Sequence, residues 1–302
     1  MSTPKIIVIL GPTASGKSDL AVEIALRFQG EVVSADSRQV YKGLDIGTGK
    51  ITPAEMRGVP HHMLDVADPR EQYFVARFKF EAERVITDIL SRGKLPIFCG
   101  GTGLYLQAIV DNVITPETIP DVILREKLAD KSVGELFALL QKLDSKRSET
   151  IDQKNPRRLV RAIEIARHMG SVPKIPDAPK KYHALQIGVQ TDKETLSGRI
   201  TLRLEKRLHE GMIEEAEKLH TNGLSFERMD ELGLEYRYLS LYLQGKITRE
   251  DMEKELAVKI GQYAKRQMTW FKRDGRIRWF PLSEKESIFK EVDSFIKKRA
   301  DE

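Results

Sequence analysis

Gly11-Pro-Thr-Ala-Ser-Gly-Lys-Ser18 carries the spacing G-x-x-x-x-G-K-[ST] in full, a pattern suited to holding phosphate. The glycines let the backbone wrap closely around phosphate oxygens, so that successive N–H groups point inward. The helix that follows adds its positive end. Lys17 is a mobile cation for the terminal phosphate, and Ser18 offers a hydroxyl to Mg2+. Gly11, Pro12, Thr13, Ala14, Ser15 and Gly16 form the cradle. The motif does not say what the phosphates belong to, because kinases, ATPases, GTPases and transferases that expel diphosphate all use such a loop. Asp36 and Thr102, like the loop, each follow a predicted strand, and open α/β sheets bind ligands at that carboxyl edge. By residue type alone, Asp36 reads as a cap. Thr102 reads equally as a turn-stabilising hydroxyl or a ligand-orienting one.

The elements that must position these residues are legible in the apolar pattern. Lys5–Leu10 is a continuous β-branched run, the signature of a buried parallel strand. A helix is predicted from Lys17 to Phe28, with Gly30 as its left-handed stop. Glu31–Ala35 and Pro96–Cys99 are further strands, separated by a helix that begins near Val75 and ends at Gly93. This alternation predicts an α/β fold, a P-loop parallel-sheet core wrapped by helices. Residues 113–182 contain no convincing strand and read as a helical insertion between core segments 1–112 and 183–302. A strand returns at Ala184–Val189. One long helix near 194–220, another from Arg249 to Phe271 and a short strand at Arg278–Phe280 complete the core.

Composition narrows the setting. The 302 residues are 40% apolar and 31% charged, ordinary for a globular chain. Cys99 is the only cysteine, which excludes a disulfide framework and a cysteine-rich zinc site. With no targeting segment and no membrane-length apolar run, a cytoplasmic protein is expected. The net charge of +5 admits a polyanionic partner. Seven basic residues lie between Lys259 and Arg278 against one acid, Asp274, and Arg157, Arg158, Arg161 and Arg167 cluster near the end of the insertion. Lys259, Arg266 and Arg273 recur at seven-residue spacing, which would put them on one helix face. Tyr263, Trp270 and Phe271 are expected to pack mostly into the core. Arg199, Arg203 and Arg207 recur every four residues, by default a solvated stripe. His61 and His62 are expected to support the fold, since no second ligand cluster accompanies them.

Three further segments have a recognisable look: Ser34-Ala-Asp-Ser-Arg-Gln-Val-Tyr-Lys42, Cys99-Gly-Gly-Thr-Gly-Leu-Tyr-Leu106 and Tyr263-Ala-Lys-Arg-Gln-Met-Thr-Trp-Phe271. Together with the phosphate loop, the chain from about residue 5 to 280 resembles the tRNA dimethylallyltransferases, which attach a five-carbon prenyl group to the adenosine just 3′ of the anticodon. Pro60-His61-His62 with Asp65 and Asp68-Pro69, and Asn155-Pro-Arg-Arg-Leu159 before Arg161, extend the likeness. There are departures. Leu232-Gly-Leu-Glu-Tyr-Arg237 differs from the family pattern of Gly-Tyr, a basic residue and Glu, and the single cysteine excludes the zinc finger that some members carry.

The resemblance implies dimethylallyl diphosphate as donor, tRNA as acceptor and Mg2+ as cofactor, in a monomer. It implies Asp36 as the base that takes a proton from the adenine amine, with Thr102 and Lys17 as its catalytic companions. Arg199 and Arg203 would join the loop in holding diphosphate. The tRNA contacts it implies are Asp36, Ser37, Arg38, Gln39, Thr102, Arg125, Arg157, Arg158, Leu159, Val160, Arg161, Lys265 and Arg266. The target base lies in a single-stranded loop, from which it can be flipped into a pocket. A prenyltransferase for free adenine nucleotides would need the same loop and base but little RNA-binding surface, which the 70-residue insertion (113–182) and the basic block argue against. In a small-molecule kinase the Gly-Gly-Thr-Gly and Tyr-Ala-Lys-Arg-Gln segments would be coincidences. A nucleotide switch lacks any marked partner surface.

Overall fold

The computed structural model describes residues 3–113, 121–173 and 178–298. It divides into two compact units: the chain up to Asn112 together with everything from Pro179 onward, and Val113–Ala178. Strands β1 (Lys5–Leu10), β2 (Gly30–Ser34), β3 (His61–His62), β4 (Leu95–Gly100), β5 (His183–Gln190) and β6 (Arg278–Pro281) all belong to the larger unit. They form one parallel sheet in the order β3-β2-β4-β1-β5-β6. Helices α1 (Lys17–Phe28), α2 (Pro53–Met56), α3 (Val75–Ser91) and α4 (Gly103–Val110) precede the second unit. That unit contains α5 (Val122–Ala129), α6 (Val133–Leu143), α7 (Ser145–Thr150) and α8 (Pro156–Met169). After it come α9 (Lys193–His209), α10 (Met212–Thr221), α11 (Phe226–Leu232), α12 (Leu234–Leu243), α13 (Arg249–Phe271) and α14 (Lys285–Lys297).

β1 is apolar beyond Lys5 because both faces of the sheet are covered. Ile6, Val8 and Leu10 enter a cluster with residues of α3, α4 and α13, whereas Ile7 and Ile9 enter one with residues of α1 and α14. Each such side chain, fully buried, contributes roughly 1.5–3 kcal/mol. The smaller unit has its own core, in which Leu124, Leu128, Leu136, Leu140, Leu159 and Ile163 meet.

Several expectations are corrected. Gln29, not Gly30, takes the left-handed cap of α1, with φ 54°, and Gly30 is already the first residue of β2. The helix expected near 194–220 is two helices, α9 and α10, because Gly211 adopts φ 98° between them. The insertion was expected to end at residue 182, but the division falls after Ala178. Asn112 donates to the Pro179 carbonyl at 2.9 Å, and Tyr182 is buried in the larger unit's core. Much of the proline-bearing sequence at the ends of the insertion, 114–120 and 174–177, lies outside the described residues. No described helix is long and apolar enough to cross a membrane.

Candidate active site

β1 leads straight into the phosphate loop, which α1 closes. The Ser15 N–H donates to the Pro12 carbonyl at 3.3 Å, and Gly16 caps α1 at φ 86°. A Cβ at Gly16 would lie 2.6 Å from Leu282 Cδ1, a side-chain end that can move aside, so it is the backbone angle that favours glycine. The Ser15 hydroxyl is buried and has no protein partner, which is unusual for a buried polar group and suits a loop that grips an anion. Lys17 Nζ lies 3.3 Å from the Pro12 carbonyl. Burial pushes the Lys17 pKa below the ordinary lysine value; Arg203 adds to the effect, and Cys99 and Asp36 oppose it. Ser18, the second residue of α1, is exposed, with its hydroxyl in reach of the Cys99 thiol. Burial pushes that thiol up to about 11, so it is neutral at physiological pH. No described group of three or more His, Cys, Asp or Glu residues could hold a metal ion. The Ser18 hydroxyl is a ligand type that suits Mg2+, an ion that commonly takes few protein ligands beside phosphate oxygens and water.

Asp36 and Thr102 meet beside this loop because β4 lies between β2 and β1. The Ala35 N–H donates to the Cys99 carbonyl at 2.8 Å, and the Thr102 N–H to the Ala35 carbonyl at 3.2 Å. Thr102 Oγ1 accepts the Ser37 N–H at 3.0 Å and directs its own proton toward Ser37 Oγ at 3.4 Å, a long contact that an incoming acceptor can replace. Asp36 is half-buried, and its Oδ1 accepts the N–H groups of Arg38 at 2.8 Å and Gln39 at 3.4 Å. This is a side-chain turn and not a helix cap, since no helix follows. One carboxylate oxygen is therefore fixed by backbone, and no described hydrogen bond engages the second.

Helix α9 supplies the arginines. Arg199 donates to the Ser15 carbonyl at 3.4 Å. Arg203 is solvent-reachable but hemmed in by protein; that desolvation, with Arg207 beside it, lowers its pKa. Arg207 is occupied by the Gly47 carbonyl at 2.8 Å and by Glu235 at 3.4 Å. The divergent segment thus braces this wall: Glu235 holds Arg207, and the Tyr236 hydroxyl donates to Glu215 at 2.6 Å. Glu215 in turn accepts the N–H groups of Asp45, Ile46 and Gly47. The remaining residues expected to touch tRNA here differ in availability. Lys265 and Arg266 are exposed on α13, and Arg266 lies 5.7 Å from the Tyr263 ring centroid. Arg38 packs by Gly233. The Gln39 amide is engaged with Ser34 Oγ and the Gly49 carbonyl, both at 3.3 Å.

Three expectations for the basic block change. Helix α13 ends at Phe271, so Arg273 does not share a helix face with Lys259 and Arg266. Arg276 pairs with Asp274 and Asp111, and Arg278 with Glu291. Of the three aromatics expected to pack mostly into the core, Phe271 is buried and Trp270 packs against that core, whereas Tyr263 is 36% exposed. His61 and His62 form β3, where His62 Nε2 lies 2.7 Å from the Glu31 carboxylate.

In the second unit, Asn155 caps α8 by accepting the Arg158 N–H at 3.2 Å. Arg157 and Arg158 are exposed, and Arg158 lies 3.8 Å from Asp152. Arg125 and Arg161 both reach the buried Glu164, at 2.6 and 3.2 Å. Their guanidiniums are half-buried and oriented, not free. Leu159 is fully buried in the unit's core, so its side chain is unavailable to RNA; Val160 is partly buried against the same core.

The motif that contains Gln267 does not reveal what that residue does. It is buried, its Oε1 accepts the Thr13 N–H at 2.9 Å, and its Nε2 donates to the Gly101 carbonyl at 2.9 Å. A signal was present in the sequence. Leu256, Ile260, Ala264, Gln267 and Phe271 form the buried stripe of α13, and a single amide interrupts that apolar series.

Comparison with known proteins bears on what this arrangement does. A family model described as IPP transferase matches residues 39–274. The chain is 43% identical over 283 residues to tRNA dimethylallyltransferase 2 of Shewanella sediminis, covering 92% of this chain and 94% of that protein. It is 38% identical over 301 residues to tRNA dimethylallyltransferase of Carboxydothermus hydrogenoformans, covering 97% and 96%. Among solved structures, it is similar to the full-length tRNA isopentenylpyrophosphate transferase of Bacillus halodurans, with TM-score 0.72, 37% identity and coverage of 97% and 95%. It is also similar to a eukaryotic dimethylallyltransferase acting on tRNA, with TM-score 0.82, 28% identity and coverage of 98% and 80%.

Proposed function

The chain belongs to the IPP transferase family, and from that premise we propose that it transfers a dimethylallyl group from dimethylallyl diphosphate to tRNA. The acceptor is the exocyclic amine of the adenosine 3′-adjacent to the anticodon, and diphosphate is released. The observation that carries the reading is the neighbourhood of a phosphate loop and the Asp36–Thr102 pair on adjacent strands of one sheet edge. One site can therefore hold a diphosphate and accept a proton from an amine a short distance away.

The chemistry follows from charge. The amine nitrogen forms a bond to the allylic carbon as the carbon–oxygen bond to diphosphate breaks, and the electron pair leaves with oxygen. Lys17, the loop N–H groups and Arg199 face the growing negative charge. Ser18 would hold Mg2+, which when bound would supply Lewis-acid neutralisation of the same charge. The free oxygen of Asp36 takes the amine proton, and the hydroxyl of Thr102, already aimed by the Ser37 N–H, orients the acceptor. Arg157 and Arg158, with Arg125 and Arg161 steered by Glu164, hold the RNA through its phosphates, together with Lys265 and Arg266. The relatives named tRNA dimethylallyltransferase weigh against the kinase and switch alternatives, which share only the phosphate loop.

A direct assay tests the proposal. Protein, Mg2+ and dimethylallyl diphosphate are incubated with tRNA or with AMP, and the products are digested and examined for prenyl-adenosine. Product from tRNA and little from AMP is expected. Product from AMP alone would favour the free-nucleotide enzyme, and ATP hydrolysis without prenyl transfer would overturn the assignment.

A further inference from the structure

Two loops must be held at a fixed separation for this reaction: the phosphate loop, which carries the donor, and the Gly100–Gly103 turn, which carries Thr102 toward the acceptor. Each is anchored to its own strand, β1 or β4. Strand pairing ends at Leu10 and Gly100, so it stops where the two loops begin. Beyond that point one side chain joins them. Gln267 Oε1 accepts the Thr13 N–H at 2.9 Å, and its Nε2 donates to the Gly101 carbonyl at 2.9 Å.

The amide orientation is dictated, because the contacting groups are the Thr13 N–H, which only donates, and the Gly101 carbonyl, which only accepts. Packing alone does not account for glutamine here. The neighbouring buried positions of α13 are Ile260, Ala264 and Phe271, and burying an amide among them is unfavourable unless both its ends are paired. Gln267 finds both partners outside its own helix. The fit is also close: a Cβ on Gly101 would come 2.2 Å from Nε2. Three residues further along α13, Trp270 packs against Gly103, so the helix is braced at both ends of the turn.

We propose that Gln267 is a positioning residue that sets the donor-to-acceptor distance by tying the phosphate loop to the turn bearing Thr102. This rests on the prenyl-transfer reading above. Gln267 touches neither reacting group. It acts through Thr13 and Gly101, and its loss should misalign the allylic carbon and the amine without weakening either substrate's grip. A displacement on the order of 1 Å lowers such a rate by about 10²-fold.

The full-length protein carrying Gln267→Met or Gln267→Glu tests this. Methionine keeps the volume and removes both bonds. Glutamate keeps the acceptor for Thr13 but presents an oxygen to the Gly101 carbonyl, and it serves should the methionine variant fail to fold. Single-turnover prenyl transfer at saturating substrates should fall about 10- to 100-fold, with affinities for dimethylallyl diphosphate and tRNA nearly unchanged. Diphosphate released per prenyl-adenosine should rise above one, because water intercepts a misaligned donor. Transfer within a few-fold of wild type would overturn the proposal. So would a loss that tracks weakened dimethylallyl diphosphate binding at unchanged stoichiometry. A wild-type protein that transfers no prenyl group would overturn the function itself, which is a separate and visible outcome.

Discussion

Replacing Asp36 by asparagine separates basicity from shape. Oδ1 of Asp36 is committed to the N–H groups of Arg38 and Gln39, so the carbonyl of an asparagine amide must take the same place. Its NH2 group then occupies the position of the free carboxylate oxygen and offers a donor where the mechanism needs an acceptor. The turn is kept, and stability should change by less than about 1 kcal/mol, whereas alanine, which loses both bonds, should cost roughly 1–2 kcal/mol. Loss of a general base lowers rates by about 10²–10⁴-fold, equivalent to about 2.7–5.4 kcal/mol in the barrier. The measurement is single-turnover transfer at saturating tRNA and dimethylallyl diphosphate, quenched and read as prenyl-adenosine, beside a denaturant melt of each variant. Dimethylallyl diphosphate affinity should be little changed, since Asp36 does not hold the phosphates. If Asp36→Asn transfers within a few-fold of wild type, the carboxylate serves only the turn, and the proton leaves by another route.

Lys17→Ala should reduce turnover by orders of magnitude and leave the melting transition in place. Because burial lowers the Lys17 pKa, affinity for dimethylallyl diphosphate should weaken on the alkaline side at a lower pH than an ordinary lysine would give. Lys17→Arg should abolish that limb, and a flat wild-type titration would refute the assignment. Arg158→Ala should weaken tRNA binding and lower the slope of log affinity against log salt by about one; unchanged affinity and slope would mean a merely solvated arginine. Away from the site, the Arg92 hydrogen bond, followed by His62, holds the Glu31 carboxyl below the usual glutamate range. Its stabilisation is therefore present above the unfolded pKa and lost as pH falls through the lower folded value. Because Arg92 is 42% exposed, solvent screens the pair, and Glu31→Gln should lower stability only modestly at neutral pH. Urea midpoints of the variant and wild type should converge in acid, and a difference that persists there would contradict this.

The phosphate loop and the sheet around it were readable in the chain because their causes are local. Lys5–Leu10 is apolar without alternation since both faces are buried, and the loop's glycines and Lys17 must be contiguous to wrap one anion. Helices α1 and α13 ended where the pattern ended, at Phe28 and Phe271. Where a backbone conformation decided the outcome, the pattern misled: Gly211 broke a run that stays amphipathic on both sides of it. Pairing lay beyond sequence altogether. Arg125, Arg158 and Arg161 have the same residue type, yet Glu164 orients two of them while the third is exposed. Asp36 could be placed at a strand's carboxyl end, but not its division into one oxygen held by backbone and one left free. Gln267 could be seen as an amide in an apolar stripe, but its partners are 254 and 166 residues away in the chain. Local sequence specifies which groups a segment offers and how the backbone turns. Which of those groups are spent on one another depends on contacts between distant segments, and these exist only once the sheet has brought its strands together.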